Sequence, residues 1–200
     1  MSRAPLLIVA IIAVSNPHVL SGQELPAAQV SAGYSYLASP SAIIVYGSDE
    51  RGDASHSGWF AEAVGNITAH AGFVGQVSAS YTTSTLSARA ERAALHAYSF
   101  LGGGRATSRC CGRVAPFGQV LAGMVRVNAN VTRGGGNVSR YPSDYFALLF
   151  GGGADIRIGA GTAGLHVAAD VVRISRSGGD GFGPSGNTWR LLIGITAPMR

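Results

Sequence analysis

Past residue 20 the chain never gathers its apolar residues into a run long enough to cross a bilayer as a helix; it deals them out at alternate positions, in segments of about ten residues. A chain that is 46% hydrophobic and only 12% charged must still bury or shelter that apolar surface. Delivered at period two, it can do so only on one face of a β-sheet, because successive strand residues point to opposite sides. The other face is then free to be polar. This alternation points to an all-β domain of strands with two chemically different faces.

About eight such segments can be marked, bounded by Gly, Ser, Asn and Asp. Segment 29–38 sets Val30, Ala32, Tyr34 and Tyr36 against Ser31, Gly33 and Ser35. Segment 58–68 sets Trp59, Ala61, Ala63 and Ile67 against Glu62, Asn66 and Thr68. In 73–82, Phe73, Val77, Ala79 and Tyr81 oppose Gln76, Ser78, Ser80 and Thr82. In 93–106, Tyr98 and Phe100 oppose Ser99 and Arg105. Segment 114–128 is apolar on both faces, which leaves its orientation open; Pro116 near its start is tolerated because the first residues of a strand can lack a donor. Segment 145–158 groups Phe146, Leu148, Phe150, Ile156 and Ile158 against Asp155 and Arg157. Segment 165–174 sets Leu165, Val167, Ala169 and Val171 against His166 and Asp170, and 188–197 sets Trp189, Leu191, Ile193 and Ile195 against Arg190 and Thr196.

Alternation alone is shared by soluble sandwiches and membrane barrels. Two further patterns favour the barrel. The connections alternate in length: those around 69–72, 107–113 and 159–163 are short, those around 39–57, 83–92, 129–144 and 175–187 long. Short turns at one end and longer loops at the other mark an up-and-down barrel of the outer membrane. The isolated charges also all fall on the polar face. If the apolar face meets lipid, Glu62, Gln76, Arg105, Asp155, Arg157, Asp170 and Arg190 form a polar network inside the lumen, where an unpaired charge is costly. The expected architecture is a closed, antiparallel, up-and-down transmembrane β-barrel of about eight strands, which also removes the edges that lipid cannot satisfy.

Residues 1–22 read as a secretory signal peptide, with Arg3 as the positive start, Pro5 to Val14 as a short apolar core and Ser21-Gly22 ahead of Gln23. Residues 23–200 are the expected barrel domain, and the expected location is a bacterial outer membrane. No Cys follows the leader, which argues against a lipid anchor. The two cysteines, Cys110 and Cys111, are adjacent, so they make neither an ordinary structural disulfide nor a metal site. All 15 basic residues are Arg, and the net charge of +5 is scattered without interleaved aromatics, which gives nucleic-acid binding no support.

The runs HAYSFLGGGRATSR (96–109), VAPFGQVLAGMVRV (114–127), FALLFGGGADIRI (146–158), LHVAADVVRIS (165–175) and NTWRLLIGI (187–195), with the opening strand SAGYSYL (31–37), resemble the OmpA-type outer-membrane β-barrel domain family in order and spacing. The resemblance covers most of the chain after the leader. It implies an eight-stranded barrel whose interior is packed with polar side chains, and it places Arg105, Asp155, Asp170 and Arg190 inward. It implies outer-membrane lipids and the outer-membrane assembly machinery as partners. One departure stands out: members of that family usually end on an aromatic residue, whereas this chain ends Ala197-Pro198-Met199-Arg200.

Other motifs carry less. Gly159 to Gly164 fits G-x-G-x-x-G, but the segment before it holds Asp155 and Arg157 and too little chain follows for a dinucleotide fold. The glycine triplets 102–104 and 151–153 fall mid-segment, where they allow curvature, and neither is followed by the Lys of a P-loop. His56, His70, His96 and His166 are scattered singly, and no G-x-S-x-G elbow is present. Arg51-Gly52-Asp53 is a short match in a long connection. The expectation is an integral outer-membrane barrel with a structural, passive-permeation or surface-interaction role, not an enzyme, with no cofactor or metal. The alternative is a secreted or periplasmic lipocalin-like barrel carrying a small apolar ligand.

Overall fold

A computed structural model describes residues 27–39, 54–86, 91–108, 112–132, 138–158, 163–175 and 186–199. The leader 1–22, the Arg51-Gly52-Asp53 triplet, both cysteines and most of the 159–164 glycine motif lie outside the described residues.

Eight strands follow one another: β1 (Ala28–Ser39), β2 (Ala54–Asn66), β3 (Ala71–Leu86), β4 (Glu91–Thr107), β5 (Val114–Thr132), β6 (Val138–Arg157), β7 (Gly164–Ser175) and β8 (Gly186–Met199). Each pairs antiparallel with the next, and β8 pairs with β1, so the sheet closes on itself. The chain is an all-β, closed, eight-stranded antiparallel barrel, and no helix occurs among the described residues.

The register fixes its dimensions. Stepping from partner to partner around the wall leads from Ala28 through Gly65, Phe73, Gly104, Val120, Phe150, Val171 and Trp189 to Ala38. One circuit therefore climbs ten residues along β1, from Ala28 to Ala38. With a rise of about 3.3 Å per residue and a strand spacing of about 4.8 Å, that shear tilts the strands by about 41° and gives a backbone radius of about 8 Å. A strand as short as the 12-residue β1 then reaches about 30 Å along the axis, the thickness of a hydrocarbon core. The bore is just wide enough for side chains to fill.

The strands outrun the segments marked in the sequence. Of the connections expected to be long, 83–92 and 129–144 are mostly strand: β3 and β4 pair up to Leu86 and Glu91, and β5 and β6 up to Thr132 and Val138. The polar residues there are backbone-paired in hairpins that rise beyond the rest of the wall, and turn-like composition hid that pairing. At the opposite end the β2–β3 turn is tight, with Ile67 N donating to Ala71 O (2.9 Å) and Thr68 Oγ1 accepting from Ala71 N (3.0 Å). The β4–β5 turn carries Gly112 at φ +64°, a left-handed conformation that glycine adopts without steric cost.

The two faces separate cleanly. Outward positions expose Phe73 and Ile195 (each 67%), Phe100, Phe150, Trp189 and Leu191, a density of bare apolar groups foreign to a soluble surface. The interior is mixed rather than wholly polar. One buried cluster joins Val64, Val74, Leu101, Leu121, Val125, Ala147, Leu149 and Val172; another joins Phe60, Phe117, Ala168 and Leu192. The orientation of β5 is thereby settled: Phe117, Gln119, Leu121 and Val125 point inward, Val120 and Met124 outward.

Candidate functional site in the lumen

Between the two apolar clusters the lumen is crossed by a ring of six side chains, each bonded to the next and drawn from six strands. Arg105 on β4 donates through Nη2 to Glu62 Oε1 on β2, and both side chains are almost wholly buried. Arg105 also donates to Gln119 Oε1 on β5, from Nε (3.2 Å) and Nη2 (2.6 Å). Gln119 Nε2 donates onward to Asp170 Oδ1 on β7 (3.4 Å). Asp170 Oδ2 accepts from Arg190 on β8, from Nη2 at 2.6 Å and Nε at 3.1 Å. Arg190 Nη2 reaches Gln76 Oε1 on β3 (2.5 Å), and Gln76 Nε2 returns to Glu62 Oε2 (2.9 Å), closing the circuit.

The chemistry of the ring explains its composition. A guanidinium only donates and a carboxylate only accepts, so alternating the two needs a group that does both at each place where two strands of unlike charge fail to meet. Gln76 and Gln119 serve there, each accepting from an arginine and donating to an acid. Two arginines face two carboxylates, so the ring is neutral. Glycine makes room for it. A Cβ on Gly151 would collide with Asp170 Oδ1, and one on Gly103 or Gly153 would collide with the Val120 or Val167 carbonyl.

A second polar set lies toward the short turns. Asp155 Oδ1 accepts from His166 Nδ1 (2.7 Å), Asp155 Oδ2 accepts from Gln29 Nε2 (2.8 Å), and Arg105 Nη1 approaches it at 4.0 Å. Gln29 Nε2 also donates to Thr196 Oγ1 (2.8 Å), which is bonded to Ser31 Oγ (3.0 Å). The His166 ring lies stacked on Phe117 and tilted against Phe60. The Arg105 guanidinium sits 3.9 Å over the Phe117 ring, which links the two sets. Among the described residues, His166 Nε2 and Ser35 Oγ are buried without a hydrogen-bond partner.

Of the residues picked out from the sequence, the fold brings Glu62, Gln76, Arg105, Asp170 and Arg190 into the ring, with Asp155 beside it. Arg157 requires correction. It is the last residue of β6 and is exposed at the barrel rim, because strand alternation assigns a face but not a height along the axis. Three members were missed. Gln119 lay in the segment of undecided orientation, although the β4–β5 register sets it directly opposite Arg105. His166 shares the polar face of its segment with Asp170 yet, like Gln29, carries no fixed charge to single it out. Among the described residues no cluster of three or more His, Cys, Asp or Glu side chains is placed to hold a metal ion.

No family model matches the sequence, and no curated protein matches it closely. Solved structures do. Ail, the attachment invasion locus protein of Yersinia pestis, superposes with a TM-score of 0.57 at 13% identity, over 86% of this chain and 97% of that one. Neisserial surface protein A gives 0.57 at 13% identity, over 86% and 96%. The fold is that of the eight-stranded outer-membrane β-barrels. An outer-membrane barrel needs an apolar exterior and an interior whose charges are paired; the exposed apolar wall and the Arg105–Glu62 and Arg190–Asp170 pairs fit that pattern.

Proposed function

We propose that the protein is an exported, integral outer-membrane barrel that serves as a structural or surface-interaction element rather than as a catalyst. The observation that carries this reading is the pairing of opposites: an apolar outer wall and a neutral, bonded ring of Arg, Glu, Asp and Gln inside. In a carrier of apolar ligands the chemistry would be reversed, with water outside and an apolar cavity within. The ring also opposes passive permeation, since three of its links, Arg105–Glu62, Gln119–Asp170 and Arg190–Gln76, join non-adjacent strands across the bore. The structural neighbours include an attachment protein and a surface protein, which supports a role for the ends of the loop-side hairpins outside the cell.

The test is cell fractionation followed by electrophoresis with and without boiling. An outer-membrane band whose mobility shifts on heating is the expected result, and planar bilayers should then show no steady conductance. A soluble band without a shift would overturn the membrane reading.

A further inference from the structure

Among the described side chains, two exposed arginines near the loop end of the outer wall are treated differently. Arg126 on β5 is held bidentately by its cross-strand partner Asp144 on β6, Nε to Oδ1 at 2.7 Å and Nη2 to Oδ2 at 2.8 Å. Arg173 on β7 has no such partner among the described residues. It is exposed, its cross-strand neighbours are Leu148 and Asn187, and no hydrogen bond or ion pair to it exists among the described residues. It stands on the outward face: Val172 before it is buried inside, while Val171 faces out with its partner Trp189. Trp189 (56% exposed) and Phe146 (45%), which pairs with Ser175, flank it on the two neighbouring strands.

Resting on the membrane reading above, we propose that Arg173 is a binding site for the anionic phosphate headgroup of a lipid in the surrounding leaflet. An aromatic pair with one polar edge marks the boundary between hydrocarbon and headgroups. A guanidinium at that level, with no carboxylate bonded to it among the described residues, finds its counter-charge in the lipid. Its planar fork suits phosphate, and its aliphatic stem suits the apolar wall while the head reaches the interface. Arg126 does not compete, because Asp144 already occupies its fork.

The experiment uses Trp189 as the reporter. The chain has two tryptophans, Trp59 and Trp189, so Trp59→Phe leaves one fluorophore beside the site. That variant is folded into vesicles of phosphatidylcholine containing a minor fraction of brominated phosphatidylglycerol or, separately, brominated phosphatidylcholine. Brominated phosphatidylglycerol should quench Trp189 more strongly at equal mole fraction. Arg173→Gln should reduce that preference about fivefold, the value of one arginine near an anionic surface, while Arg173→Lys retains part of it. A heat-shifted band for each variant shows that the barrel has folded. Equal quenching by the two lipids in the Arg173 protein overturns this proposal. Loss of the preference in millimolar inorganic phosphate also overturns it, by assigning the site to free anion. Absence of quenching by either lipid instead overturns the membrane reading itself.

Discussion

Replacing Arg105 with Met keeps much of the side-chain volume over Phe117 and removes only the charge and its donors. In the native lumen Arg105 serves Glu62, Gln119 and, at 4.0 Å, Asp155. Without it, Glu62 keeps one bond, from Gln76 at 2.9 Å, and stays buried with an uncompensated charge. Breaking a buried pair in this way costs about 3–5 kcal/mol, two to three and a half powers of ten in the folding equilibrium. The loss is due chiefly to the orphaned carboxylate and not to the missing contact. Removing the acid as well, in Arg105→Met with Glu62→Met, should therefore recover at least about 1 kcal/mol of the loss, within the usual range for coupled neighbours. The assay is urea unfolding of the barrel in vesicles, read as the fraction of heat-shifted band. An unchanged midpoint for Arg105→Met would refute the reasoning. So would a double variant whose loss equals the sum of the two single ones, since that would mean that the two side chains act independently.

Gly151→Ala should destabilise the barrel to a similar degree, because its Cβ would displace Asp170 from Arg190; the same urea midpoint checks it, and Gly75→Ala, with nothing within 4 Å of its Cβ, is the neutral comparison. Ile193→Arg places a charge on the outer wall at a position 52% exposed. In a bilayer it should cost about 2–4 kcal/mol, whereas on a water-facing surface it would cost almost nothing, so vesicle stability separates the two environments. Gly112→Val forces a β-branched residue into positive φ and should cost about 1–2 kcal/mol or more, seen as a lower unfolding midpoint without loss of the outer-membrane band.

The faces of β2, β3, β7 and β8 were legible because period two assigns them directly: Asp170 and Arg190 fall opposite Val171 and Trp189 in any register. The barrel was legible only with help beyond alternation, which soluble sandwiches share: the unequal connection lengths and the isolated charges on the polar face pointed to it. What the alternation could not supply is height and partnership. Arg157 and Asp155 share a face two residues apart, yet one is exposed at the rim and the other lies beside the ring. Segment 114–128, apolar on both sides, gave no face at all until Gln119 was set opposite Arg105 by the β4–β5 register. The hairpins beyond Tyr81 and Phe146 read as loops because Ser, Thr, Asn and Arg suit loops and exposed strands equally. By itself, then, the sequence determined the all-β class and which residues share a strand face, consequences of local periodicity; which face lines the lumen, and that Arg157 lies outside it, came from the closed sheet. Only the tertiary structure decided that Glu62, Arg105, Gln119, Asp170, Arg190 and Gln76 close into one circuit. The shear of ten residues sets which positions on non-adjacent strands share a level across the lumen, and it is a property of the whole closed sheet that no single segment contains.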